Sequence, residues 1–251
     1  MAAIGRFQKG DDVFHAKVVD GELFRLRGDL FGSPSFDRKP TPAKGIRTLT
    51  PVTPTKIIAV GLNYAEHVRD SGQAMPKEPL IGFKAPSALL ADGAKIEIPH
   101  PQHRVDFEAE LAIVIGRRVR NVPPTAAARY ILGYAPAQDI TDRTVQNSES
   151  QWCRAKSFDT FLPFGPYIET QIDPHNLTLQ MFQNGQLRQN ANTAQLLFNC
   201  YRLVSFISAN MTLLAGDLIL TGTPGGSGPI RSGDRLEVRI QGMAPLLNSV
   251  K

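Results

Sequence analysis

The stretch Val105-Asp106-Phe107-Glu108-Ala109-Glu110-Leu111-Ala112-Ile113-Val114-Ile115-Gly116 decides the fold. A run of apolar and β-branched residues closed by glycine is a strand signal. Successive side chains of a strand point to opposite faces. Asp106, Glu108 and Glu110 therefore share one face, and Phe107, Ala109, Leu111 and Ile113 share the other. Carboxylates in a row on an apolar strand repel one another, and burying each unpaired costs several kcal/mol. A divalent cation is the simplest compensation. Asp106 is expected at the solvated start of the strand, outside any ligand set.

Outward from this strand the pattern stays β-rich. Towards the N-terminus, Val13–Val19 and Glu22–Leu26 alternate around Asp20-Gly21, a hairpin signal. Residues 33–54 are rich in Pro, Thr and Lys and read as a linker. Residues 1–54 are thus expected to form a small N-terminal β domain with its linker, and residues 55–251 the larger domain. In the latter, strands are expected at Lys56–Gly61, Leu80–Phe83, Lys95–Ile98 and within Ala135–Thr141. Asn63 can cap a short helix reaching Arg69, and another helix is expected over Thr125–Leu132. Leu196, Leu197, Cys200, Leu203, Val204, Ile207 and Met211 recur at helical spacing and predict a helix over Thr193–Leu214, with Gly216 just past its end. Leu218–Leu220 and the alternating Arg235–Ile240 return to strand. The fold class is α+β, β-rich.

Composition narrows the function classes. The chain has 251 residues, of which 42% are hydrophobic and 20% charged, as in a globular protein. No apolar run approaches the roughly 20 residues of a membrane helix. The N-terminus lacks the apolar core of a secretory signal, and Cys153 and Cys200 are far apart and outside any CxxC pattern. The expected compartment is reducing and cytoplasmic. Net charge is +5. Its densest cluster, Arg117-Arg118-Val119-Arg120, reads as a solvated turn rather than a nucleic-acid footprint. No nucleic acid or membrane is expected as a partner, and a mildly basic surface can steer a small anion.

Four features can carry chemistry. Glu108 and Glu110, joined by Asp139 from Gln138-Asp139-Ile140-Thr141-Asp142-Arg143, would make an all-oxygen centre suited to Mg²⁺, Mn²⁺ or Ca²⁺. Paired carboxylates also serve glycoside hydrolysis, but one Trp and 8% aromatics leave little for a sugar platform. His67 and Asp70 share a helix face at i, i+3, so Asp70 can orient His67 as a general base. Lys156, in Arg154-Ala155-Lys156-Ser157-Phe158, can neutralise an anionic intermediate. The loop Thr221-Gly222-Thr223-Pro224-Gly225-Gly226-Ser227-Gly228 allows close backbone approach and offers hydroxyls, but is neither a Walker loop nor a dinucleotide fingerprint. Each has an ordinary alternative: an acidic edge, a surface histidine, an exposed lysine, a plain turn.

Their order along the chain is more specific. The series GLNYAEH, FKAPSALL, VDFEAELAIVIG, AQDITDRTVQ, RAKSFDTFLPFGP, NGQLRQ, TGTPGGSG and GMAPLLNSV resembles the fumarylacetoacetate hydrolase family from about Lys56 to Val250. The resemblance implies a mixed β-sandwich roll with a small N-terminal β domain, commonly as a homodimer. It implies Glu108, Glu110 and Asp139 as metal ligands, with Mg²⁺ or Mn²⁺ bound and Ca²⁺ able to substitute. Lys156 would lie near metal and substrate, with Thr160 close by. Arg143, Gln146 and Thr223 would meet the substrate. His67 would be the catalytic histidine of a mobile lid. Family enzymes often carry Glu three residues after that histidine, where this chain has the shorter Asp70. The substrate class implied is a small anionic 2-oxo acid, with hydrolysis of an acylpyruvate-type carbon–carbon bond preferred. Decarboxylation (of oxaloacetate, for example) or isomerisation of a 2-hydroxymuconate or 2-hydroxyhepta-2,4-diene-1,7-dioate type intermediate of aromatic catabolism is the alternative. A protein that binds metal and anion without turnover is the non-enzymatic rival.

Overall fold

The computed structural model describes residues 3–251; Met1 and Ala2 lie outside the described residues. The fold is α+β and β-rich, as the sequence predicts. Ala109–Ile115 is the middle of the largest sheet, and all seven of its residues are buried. On one side it pairs antiparallel with Ile131–Gln138, on the other with Leu218–Leu220. The sheet continues beyond Leu218–Leu220 to Ile57–Gly61 and Leu80–Lys84. A second sheet, including Thr178–Gln183, Arg235–Ile240 and Leu246–Val250, packs on this centre. Burial on both faces explains why Leu111 to Ile115 reads as an unbroken apolar run rather than an alternating one.

The acidic stretch is two strands, not one. Val105–Phe107 pairs with Thr141–Asp142 and Gly228–Pro229 in a small separate sheet. Glu108 sits at the break, where its carbonyl accepts the Asp139 N–H at 2.8 Å. The carboxylates thus gather where the central sheet gives way to the small one.

The N-terminal strands extend the central sheet, because Ala3 pairs with Glu169 and Ile4 with Ile168. They carry a small apolar cluster of their own: Phe7, Phe14, Ala16 and Leu23. The hairpin forms as expected, with Asp20 and Gly21 both at positive φ, 49° and 81°, the conformation that a two-residue hairpin turn of this type requires.

Three helix expectations need correction. The long helix spans only Cys200–Asn210. Asn199 caps its start by accepting the Arg202 N–H, and Asn192 closes a separate single turn, Thr193–Gln195, through a capping box. Between them Leu197 donates its N–H to Asn63, so the apolar spacing there belongs to extended chain. At its other end Met211 is extended, so the helix stops short of Gly216. Thr125–Leu132 is a turn of helix, Pro124–Ala127, and a tighter turn, Ala128–Tyr130, before Ile131 enters the strand. Asn63 caps no helix. It is fully buried, donates to the carbonyls of Phe198 and Thr221, and accepts from Phe198 N–H. The short helix runs Ala65–Ser71 and ends on Gly72 in the left-handed conformation. Among the described residues, no helix is long and apolar enough to cross a membrane.

Candidate metal centre and active site

One cavity of about 610 Å³ opens at the junction of the two sheets. Glu108, Glu110 and Asp139 meet in it, each offering an oxygen within 4.8 Å of the others'. All are buried. Their neighbours are cations. Lys156 Nζ donates to Asp139 Oδ2 at 2.6 Å, Glu108 Oε2 at 3.0 Å and Thr141 Oγ1 at 2.8 Å. Arg143 donates to Glu108 Oε1, to Asp106 Oδ2 at 3.0 Å and to Gln146 Oε1 at 2.7 Å. Lys84 Nζ donates to Asp139 Oδ1 at 2.6 Å and to the carbonyl of Ile140 at 3.2 Å.

These contacts set the protonation of the cluster. Burial opposes ionisation of Glu108, but Arg143 and Lys156 outweigh it and hold the carboxyl well below its ordinary range. Burial, reinforced by the charges of Asp139 and Glu108, pushes Glu110 up. Lys156 stays above its usual value because Asp139 and Glu108 outweigh its burial. For Lys84 burial wins, and its ammonium is held below the usual value. The donor set suits a hard divalent cation: three carboxylates and no sulfur or imidazole among them. A dication would also relieve the mutual repulsion that raises Glu110.

Asp106 corrects the sequence reading. It is buried, not solvated, at 1% exposure. Arg104 grips it with two hydrogen bonds, 2.9 and 3.1 Å, and Arg143 adds a third. Four carboxylates (Asp106, Glu108, Glu110, Asp139) thus face four cations (Lys84, Arg104, Arg143, Lys156), and the cluster is neutral when all are ionised.

The Thr221–Gly228 loop is built against the acidic strand. Thr221 Oγ1 donates to Leu111 O and Thr223 Oγ1 to Ala109 O, both at 2.9 Å. Gly222, at φ 100°, donates its N–H to Glu110 Oε2 at 2.6 Å. A Cβ there would lie 2.8 Å from that of Asn63, so glycine is required. Thr223 lines the cavity, but its hydroxyl is committed to the sheet and accepts from Gln189 Nε2.

His67 and Asp70 both line the cavity. They share one side of the Ala65–Ser71 helix, yet among the described residues no hydrogen bond joins them. Burial lowers the His67 pKa, with Glu108 pulling the other way. Glu66 and Asp70 lie against Gly225, where a Cβ would fall 2.8 Å from Asp70 Oδ2. Thr160 is not brought to the cavity. It sits on a turn at φ 69°, and its Oγ1 accepts the Glu97 N–H at 2.9 Å.

Three contributors escaped the sequence reading. Lys84 lies within FKAPSALL, but nothing in that motif signals a fully buried ammonium. Gln189, in NGQLRQ, is buried and ties Ala109 N–H to Thr223 and the carbonyl of Pro224. Trp152 walls the cavity, and its ring covers Gly61 so closely that a Cβ there would overlap it. A lone Trp beside the RAKSFD stretch was the available signal.

Known proteins share this arrangement of sequence and fold. The family described as fumarylacetoacetate (FAA) hydrolase, C-terminal, matches residues 56–251. A mitochondrial oxaloacetate tautomerase of Arabidopsis thaliana is 44% identical over 196 residues, covering 76% of this chain and 88% of that protein. The crystal structure of 5-carboxymethyl-2-hydroxymuconate delta-isomerase from Mycobacterium smegmatis is similar with a TM-score of 0.91 and 41% identity, covering 99% of this chain and 98% of the other. That of 2-hydroxyhepta-2,4-diene-1,7-dioate isomerase from Mycobacterium marinum is similar with a TM-score of 0.92 and 37% identity, covering 100% and 98%. The chain belongs to the fumarylacetoacetate hydrolase family.

Proposed function

We propose that this member of the fumarylacetoacetate hydrolase family is a divalent-metal-dependent enzyme that moves a proton on a 2-oxo dicarboxylate, as a tautomerase or double-bond isomerase. The observation that carries the reading is the acid triad flanked by Lys156 and His67 in one cavity. The sequence alone favoured hydrolysis of an acylpyruvate. The activities named for similar proteins, a tautomerase and two isomerases, favour proton transfer instead. Charge supports a diacid: with all eight groups ionised the cluster is neutral, and a dication would then leave two positive charges, which a dianion matches.

A cation held by Glu108, Glu110 and Asp139 would supply Lewis-acid polarisation of a 2-oxo oxygen. The remaining chemistry falls to the chain. His67, kept neutral by burial, takes a proton from the carbon beside the 2-oxo group. The C–H electron pair becomes the carbon–carbon double bond, and the oxygen receives the negative charge. The Lys156 ammonium offsets that charge. Returning the proton to oxygen gives the enol; placing it on a more distant carbon shifts a double bond. Trp152, His67 and Asp70 line the cavity beside the triad.

The test is a substrate panel with Mg²⁺ or Mn²⁺: oxaloacetate, muconate-derived diacids and acylpyruvates, with products followed by NMR. Interconversion of keto and enol forms, or a shifted double bond without chain cleavage, is expected. Cleavage of acylpyruvates alone would return the reading to hydrolysis. Inertness toward the whole panel would leave a binding protein.

A further inference from the structure

Every carboxylate of the triad has one oxygen committed to a fixed donor. Asp139 Oδ1 takes the Lys84 ammonium at 2.6 Å. Glu110 Oε2 takes the Gly222 N–H at 2.6 Å. Glu108 Oε1 takes Arg143, itself held by Asp106 and Gln146. The oxygens outside these three contacts are Asp139 Oδ2, Glu108 Oε2, which also takes the Thr141 hydroxyl at 3.4 Å, and Glu110 Oε1. Two of these also accept from Lys156, so a bound cation would share them with that ammonium.

Of the three donors, a backbone amide and an arginine on a helix are ordinary. Lys84 is not. Its side chain has no exposed surface, and burying an ammonium is strongly unfavourable unless it is paired. Its second bond, to Ile140 O at 3.2 Å, fixes the direction of approach. The ammonium therefore keeps Asp139 from swinging both oxygens towards the centre.

The geometry points to Lys84 as a positioning residue that makes Asp139 a one-oxygen ligand and so sets the metal preference of the centre. This rests on the metal-dependent reading above. Ca²⁺ takes about six to eight oxygens and readily accepts two from one carboxylate. Mg²⁺ demands a compact octahedron and uses single oxygens, leaving its other positions to water and substrate. Three single oxygens fit the second cation. With Lys84 gone, Asp139 Oδ1 is freed, and two-oxygen ligation favours the larger ion.

Calorimetric titration of the full chain with Mg²⁺ and with Ca²⁺, without substrate, tests this in the wild type and in Lys84→Met. Removing one positive charge strengthens binding of both dications alike, so the ratio of the two affinities is the informative quantity. The wild type should prefer Mg²⁺, and the substitution should move the ratio towards Ca²⁺ on the order of tenfold. A purely structural Lys84 would change stability and leave the ratio alone; an unchanged ratio in folded Lys84→Met overturns the proposal. So does a wild type that binds Ca²⁺ as tightly as Mg²⁺, a result that stands even if the variant fails to fold. Binding of both ions without preference sinks only the role of Lys84. Binding of neither sinks the metal-dependent reading with it.

Discussion

Asp139→Asn removes from the buried charge network the carboxylate shared by its two lysines. Asp139 holds one ammonium on each oxygen, Lys84 and Lys156, both at 2.6 Å. The amide keeps the shape and removes the charge. Lys156 retains Glu108 at 3.0 Å, but Lys84 is left with neutral oxygens alone. Removing one partner of a buried pair destabilises by roughly 3–5 kcal/mol. The full burial of Lys84 places the effect there rather than at the value of about 1 kcal/mol or less of an exposed pair. In a chain of this size that is a fall in Tm of roughly 6–20 °C. The dependence on pH has a defined sign. Burial already holds the Lys84 pKa below its ordinary 10.5, and losing the anion lowers it further. In the interval beneath 10.5 the unfolded chain binds a proton that folded Asp139→Asn has released, so its stability rises with pH there. Urea unfolding of chelator-treated protein at neutral pH, and again about two units higher, reads both effects. The deficit should be large at neutral pH and smaller above. Equal midpoints at neutral pH, or a deficit that does not shrink, would refute the argument.

His67 should set the acid limb of the rate profile: with its pKa lowered by burial, activity should fall with decreasing pH only beneath 6.5. His67→Ala should lose that limb and most of the rate, while calorimetry finds metal affinity intact. Gly225→Ala would bring a Cβ against the flexible side chains of Glu66 and Asp70, both exposed and free to swing aside, so kcat and metal binding should change little; a large loss of kcat would show that these side chains seat the His67 helix. Gly61→Ala would overlap the Trp152 ring, costing about 1–3 kcal/mol by overpacking. Because Trp152 is the only tryptophan, its emission should shift in that variant, and the same emission should respond to metal and diacid in the wild type.

Much of this was legible in the sequence, for reasons that differ by residue. Ala109–Ile115 could be read because burial on both faces leaves an unmistakable apolar run. Asp20-Gly21 could be read because positive φ at both positions restricts the residue types. The triad could be read because carboxylates in such a strand need a counter-charge. What could not be read depends on contacts between distant segments. Leu196 and Leu197 match helical spacing, yet a cap at Asn199 and a bond to Asn63 hold them extended. Lys84 lies 55 positions from Asp139, and no local pattern distinguishes a buried lysine from the exposed kind. Thr160 sits in a matching motif, but its backbone turns it towards Glu97.

Asp106 shows how these long-range contacts change the chemistry and not only the fold. Read alone, it is one more acid beside a crowded site. In place, it draws Arg104 and Arg143 to the cavity and neutralises part of their charge. Arg143 can reach Glu108 because Asp142 caps the helix that begins at Arg143, accepting the Val145 N–H at 3.0 Å, while its other oxygen holds His103 at 2.7 Å. The carboxylates therefore divide the work. Asp142 fixes the helix, Asp106 balances the arginines, and Glu108, Glu110 and Asp139 converge in the cavity. Without Asp106 the two arginines would leave the cluster with excess positive charge, which opposes a dication. With it, the four carboxylates and four cations balance when all are ionised, and on the proposed reading a dication would then leave the cluster cationic and attractive to a dianion.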